Sequence, residues 1–171
     1  TLLPSKPIKS YFATRRNFPS GAESVISVLR PARSLRPVRS FITLMNKFLI
    51  APSIIASDFT HLADEISVIE SAGADWLHMD IMDGHFVPTI TVGPLFVQAC
   101  KRATKLPIDA HLMVSDPDQY LEVFAKAGAN NITVHVETCP NLLQTIQKIK
   151  SLGCTAGVTL NPATPASALD S

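Results

Sequence analysis

His78, Asp80 and His111 are the residues whose types and spacing point most clearly to chemistry. They fall in two short apolar runs, Asp75–Met82 (DWLHMDIM) and Leu106–Val114 (LPIDAHLMV), each with the length and composition of a β-strand. Side chains alternate along a strand, so residues two apart share a face. In the first run Trp76, His78, Asp80 and Met82 lie on one face, and Leu77, Met79 and Ile81 on the other. In the second, Asp109, His111 and Met113 oppose Ile108, Ala110 and Leu112. Burying an aspartate and two histidines costs several kcal/mol unless they are paired or bound to a metal. A single strand histidine is usually a satisfied core residue. Two of them with an aspartate favour the ligand reading. His78, Asp80 and His111 form a two-histidine, one-carboxylate set that leaves coordination positions open, as a catalytic divalent metal requires. Zn2+ fits such donors best, and Fe2+, Mn2+ or Co2+ also accept nitrogen and oxygen ligands.

Other polar residues carry weaker signals. Ser53 ends a short apolar run, where a serine either bonds a ligand or caps the loop. His135 and Glu137 are expected on one face of a strand, as support for a site or as a polar rim. His61 reads as a solvated helix residue, and His85 lies in a loop from which it could reach a substrate. Met82 and Met113 flank the proposed metal face, where an apolar lining would exclude water and strengthen electrostatics.

The elements that must hold these residues alternate regularly. Strands are expected at 47–55, 75–82, 106–114, 131–136 and 155–160. Helices are expected at 59–72, 94–104, from Asp116-Pro117 to Lys126, at 141–151 and from about Pro165. Asp58 is expected as the N-cap of the first helix or a turn residue before it, and Asp116 as the N-cap of the third, with Gly73, Gly128 and Gly153 as stops. A βα repeat of ~28 residues predicts parallel strands with helical crossovers. Eight such units need ~225 residues, close to a (β/α)8 barrel, so residues 45–171 read as its first four and a half units. The rival, a doubly wound open sheet, should carry a glycine-rich phosphate loop after its first strand. PSIIASDF contains no glycine.

The 171 residues suffice for one domain with a real core, and no apolar run is long enough to span a membrane. A net charge of +1 conceals two unlike segments. Residues 1–44 hold eight Lys/Arg, one acid (Glu23), ten Ser/Thr and five Pro; residues 45–171 hold seven basic residues and thirteen acids. The first segment has the profile of an organellar transit peptide, which would place the protein in a plastid. Met45 offers another reading, in which translation starts there, residues 1–44 are an upstream artefact and the protein is cytoplasmic. A functional basic tail is the third reading. No interleaved aromatics support nucleic-acid binding. Three cysteines without a CxxC pair argue against a disulfide framework.

The segments APSIIASDF (51–59), AGADWLHMDIMDGHFVPTITVGP (72–94), DAHLMV (109–114), AGANNITVHVE (127–137) and LGCTAGVTLNPATP (152–165) closely resemble ribulose-phosphate 3-epimerase. HMDIMDGHFVP followed by DAHLM is the specific part of that resemblance. It implies a (β/α)8 barrel and one divalent metal, usually zinc. It also implies interconversion of D-ribulose 5-phosphate and D-xylulose 5-phosphate, as in the pentose phosphate pathway or Calvin cycle. By the same resemblance His78, Asp80 and His111 are metal ligands, Asp80 is one of two acid/base carboxylates, and Ser53 and His111 contact substrate. The second carboxylate and the glycine-rich phosphate loops are expected on later strands, outside the 171 residues. An epimerase for a six-carbon ketose phosphate and a non-catalytic half-barrel are the alternatives. A sugar phosphate is the expected partner, with a homo-oligomer in the full-length protein and neither nucleic acid nor membrane involved.

Overall fold

A computed structural model describes residues 49–169. Both the basic segment 1–44 and Met45 lie outside the described residues. Four strands form one parallel sheet in the order β1 (Leu77–Met82), β2 (Ile108–Met113), β3 (Asn131–His135) and β4 (Thr155–Thr159). The helices α1 (Leu62–Ser71), α2 (Pro94–Ala103), α3 (Leu121–Ala127) and α4 (Leu142–Ser151) alternate with them. Among the described residues, sequence order equals spatial order, with no switch point where the order reverses. That excludes the doubly wound sheet and leaves the winding of a (β/α)8 barrel.

One sheet face is apolar throughout. Leu77, Met79, Ile108, Ala110, Leu112, Ile132 and Val134 are fully excluded from solvent. They share a single core with Ile66 and Ile69 of α1, Val97 and Cys100 of α2, Leu121 and Phe124 of α3, and Ile149 of α4. Each helix presents an apolar stripe because its buried positions recur three or four residues apart. Pro94 opens α2, where its missing N–H is no loss. Asn141 caps α4 by accepting from Gln144 N, and Asp58 caps the short 3-10 turn before α1 by accepting from Thr60 N. Gly128 ends α3 with φ 111°, a left-handed conformation that a side chain would strain. The three cysteines are free and buried.

The other sheet face carries the polar residues. The register aligns His78 with Asp109, and Asp80 with His111, then Thr133 and Gly157. A Cβ on Gly157 would collide with Thr133 Oγ1 and lie 3.1 Å from Thr133 Cβ. Overpacking of this kind costs about 1–3 kcal/mol. Gly157→Ala is therefore expected to lower the unfolding free energy by that amount, read as a lower urea midpoint at an unchanged m-value, and an unchanged midpoint would show that Thr133 has room to move.

Several expected boundaries shift. No regular strand occupies the described part of 47–55, and Lys47 and Phe48 lie outside the described residues. Ser53 makes one isolated parallel bridge to His78, and Ile50 and Pro52 carbonyls accept from Asp75, Trp76 and His78 backbone N–H groups. Pro52 has no N–H to extend the ladder, and the chain turns into a 3-10 helix at Ile54–Ala56. Asp116 does not cap with its side chain. Its carboxylate accepts from Gln119 Nε2 at 2.7 Å, and Pro117–Gln119 forms a 3-10 turn before α3. A 3-10 turn also takes Val136–Thr138 out of β3, so Glu137 does not continue the strand face of His135. In place of a fifth α-helix, Ala166–Leu169 is a 3-10 helix.

Candidate metal centre

The polar face of β1 and β2 builds the site. In a parallel pair, aligned residues face the same side, so each histidine stands across from an aspartate of the other strand. His78 and Asp109 form one such pair, Asp80 and His111 the other, one step further along. The two histidines therefore stand one step apart along the strands. Asp80 lies between them. Its Oδ1 is 3.2 Å from His78 Nε2 and 3.2 Å from His111 Nδ1. Its Oδ2 accepts from Ser53 Oγ at 2.6 Å. The Ser53–His78 bridge delivers that serine, so the short extended segment before β1 takes part in the site.

A loop fixes Asp80 from behind. Thr91 Oγ1 donates to the Asp80 carbonyl at 2.7 Å and accepts from Met82 N at 3.0 Å. Asp83 accepts from His85 N, Phe86 N and Ser115 N, tying this loop to the one after β2. These backbone donors hold the Asp83 carboxyl well below the usual carboxylate range, against the opposing effect of desolvation. His85 is exposed and bonds back to Asp83, and His61 is exposed beside Asp58.

The side chains of His78, Asp80 and His111 are only 11%, 15% and 15% exposed. Desolvation opposes charge at His78 and Asp80. At Asp80, contacts with His111, His78 and Ser53 outweigh it and hold the carboxyl far below its ordinary value. At His78, burial pulls the ring toward neutrality, but Asp109 at 2.7 Å and Asp80 overcome it and push the ring up to about 9. Two carboxylates thus create a field that draws a positive charge to this spot. A divalent cation answers the same field.

The donor set fits a metal. In tetrahedral coordination at zinc bond lengths, neighbouring ligand atoms lie ~3.3 Å apart. Both distances from Asp80 Oδ1 to the ring nitrogens match, and one ligand atom from each of His78, Asp80 and His111 lies within 4.8 Å of the others. Asp109 completes the pattern. Its Oδ2 meets His78 Nδ1, which leaves Nε2 for the cation, the usual carboxylate–histidine–metal arrangement. Asn131 Nδ2 donates to Asp109 Oδ1 at 2.7 Å.

Asp109 is the residue whose part the sequence reading left unassigned, and His135 the one it left open between support for a site and a polar rim. The order Asp-x-His in β2, against His-x-Asp in β1, was the available signal for Asp109. His135 ends β3 and its Nε2 lies 3.0 Å from His111 Nε2, with Phe86 packed on its ring at a centroid distance of 4.6 Å. Burial, then His111 nearby, pushes the His135 ring toward its neutral form. Met82 and Met113 are half-buried on the same strand face as the ligands.

Comparison with known proteins identifies the family. Residues 49–171 match the model of the ribulose-phosphate 3 epimerase family. The chain is 54% identical over 121 residues to "Ribulose-phosphate 3-epimerase" of Bacillus subtilis (strain 168), covering 71% of this chain and 56% of that one. It is 48% identical over 124 residues to "Ribulose-5-phosphate-3-epimerase, chloroplastic" of Arabidopsis thaliana, covering 71% and 44%. It is 50% identical over 117 residues to "Ribulose-phosphate 3-epimerase, cytoplasmic isoform" of Oryza sativa subsp. japonica, covering 68% and 51%. The chain spans about half the length of the curated relatives it matches. By the match over most of its residues, this chain belongs to the ribulose-phosphate 3-epimerase family.

Proposed function

We propose that the whole protein epimerises carbon 3 of a ketose phosphate, interconverting D-ribulose 5-phosphate and D-xylulose 5-phosphate through an enediolate. Residues 45–171 would be the N-terminal part of its barrel. The observation that carries this reading is Asp80, whose Oδ1 lies at equal distance from two imidazole nitrogens in a largely buried site, with its carboxyl held far below its ordinary value. His78, Asp80 and His111 would hold one divalent metal, with zinc best matched to two nitrogens and an oxygen. When bound, such a cation supplies Lewis-acid stabilisation of the negative charge that develops on the ketone and neighbouring hydroxyl oxygens.

This chain's residues account for one side of the reaction. Inverting a carbon next to a ketone requires a proton to leave one face and another to arrive on the opposite face. Asp80 serves one face: Oδ1 is turned to the histidines, and Oδ2 bonds the Ser53 hydroxyl, which can exchange that bond for a substrate oxygen. Ser53 and His111 would contact substrate. Met82 and Met113 would keep water from the planar intermediate. A second carboxylate and the phosphate-holding loops would come from beyond the 171 residues. The pathway would be the pentose phosphate pathway or the Calvin cycle, in the cytoplasm or in a plastid if residues 1–44 act as a transit peptide. Among the described residues no helix is long and apolar enough to cross a membrane. A homo-oligomer without nucleic-acid or membrane partners is part of the same proposal.

Incubation of the whole protein with D-ribulose 5-phosphate in D2O tests the proposal. The expected result is D-xylulose 5-phosphate carrying deuterium at carbon 3. Turnover of a six-carbon ketose phosphate in its place, or no turnover of either, would overturn the assignment.

A further inference from the structure

His135 takes no part in the mechanism above, yet it touches a proposed ligand. Its Nε2 lies 3.0 Å from His111 Nε2, and the two rings stack at 20° with centroids 5.1 Å apart. Two ring nitrogens at this distance share one proton, so one donates and the other accepts. The opposite nitrogen of His111, Nδ1, faces Asp80 Oδ1. A nitrogen that binds a cation must offer its lone pair, so the proton of a neutral ligand ring sits on the other nitrogen. In His111 that other nitrogen is Nε2.

We infer that His135 is a positioning residue: by accepting the His111 Nε2–H at its own Nε2, it fixes the tautomer that leaves His111 Nδ1 free for the metal. The inference rests on the metal site proposed above. It gives His111 what Asp109 gives His78, a partner on the ring nitrogen that faces away from the cation.

The surroundings of His135 support this polarity. With Nε2 accepting, the ring's own proton lies on Nδ1. That atom is buried, has no hydrogen bond among the described residues, and lies 3.4 Å from Glu137 Oε2. An N–H directed at a carboxylate is attracted to it, whereas the reverse tautomer would turn a bare lone pair toward negative charge. Glu137 is itself held in place, because its Oε1 accepts from Asn161 N at 2.7 Å and from Thr164 Oγ1. Phe86 packs against the His135 ring and restricts its rotation. A chain of contacts therefore runs from the loop after β4, through Glu137 and His135, to His111.

The test uses the whole protein and zinc, with affinity measured against a chromophoric chelator. His135→Phe keeps a ring but removes the acceptor; His135→Gln can present an amide oxygen near the position of Nε2. His135→Phe is expected to weaken zinc binding ~10–100-fold, the usual effect of losing a partner behind a metal-ligating histidine. His135→Gln is expected to stay near wild type. Equal affinities for all three proteins, or equal losses in both variants, would overturn the inference. Should the phenylalanine variant fail to fold, nitrogen-15 NMR of zinc-loaded wild type decides: a proton on His111 Nε2 is expected, and a proton on Nδ1 would overturn it. Wild-type protein that binds no zinc would remove the metal site itself, and so separates that failure from a failure of His135 alone.

Discussion

Asp80→Asn in the whole protein is expected to lower turnover by ~10³-fold or more and to abolish exchange of the carbon 3 proton with solvent. The substitution preserves the size of the side chain and removes its charge and basicity. Both matter here. Oδ1 faces two ring nitrogens at 3.2 Å, and a neutral amide in that place loses the negative charge that draws a cation to the site. An asparagine also cannot take up the proton that must leave carbon 3. The fold should survive, because Asp80 lies on the polar sheet face while Met79 and Ile81 beside it fill the core. Turnover and exchange can be followed in D2O by proton NMR from either epimer. Retained exchange from both epimers would remove Asp80 from the mechanism.

His78→Ala and His111→Ala are expected to reduce metal affinity by more than ~100-fold, beyond the range usual for outer partners. Asp109→Asn should fall within that range, ~10–100-fold, because it leaves all three ligands and disturbs only the ring orientation and basicity of His78. Each alanine removes one of three donors from a site in which Asp80 bridges the other two. Metal content after dialysis against a weak chelator, with circular dichroism confirming the fold, measures the effect. Unchanged occupancy in either alanine variant would exclude that histidine as a ligand, and an Asp109→Asn loss as large as theirs would make Asp109 a ligand.

Much of this was legible before any coordinates. Alternation placed Leu77, Met79 and Ile81 against the helices and His78 and Asp80 opposite, and the sheet obeys it because a strand has only two faces. The helix starts expected at 94 and 141 agree with α2, which opens at Pro94, and with α4, which Asn141 caps. What sequence could not supply is register. The crossed pairing of His78 with Asp109 and Asp80 with His111 depends on how β1 slides along β2, and no residue announces that offset. The same gap left His135 open between support and polar rim, because its link to His111 is made across strands. Short irregular segments failed for another reason. The run 47–55 read as a strand, but the Pro52 backbone cannot donate and the chain bends at Ile54. Glu137 was expected to follow His135 along β3; the 3-10 turn at Val136–Thr138 redirects it to Asn161 and Thr164.

Anomalous diffraction at the zinc edge, from crystals of the zinc-loaded protein, addresses the shared cation directly. One peak is expected within ~2.0–2.2 Å of His78 Nε2, Asp80 Oδ1 and His111 Nδ1. A peak bonded elsewhere, or none between these side chains, would contradict the site on which the epimerase mechanism stands.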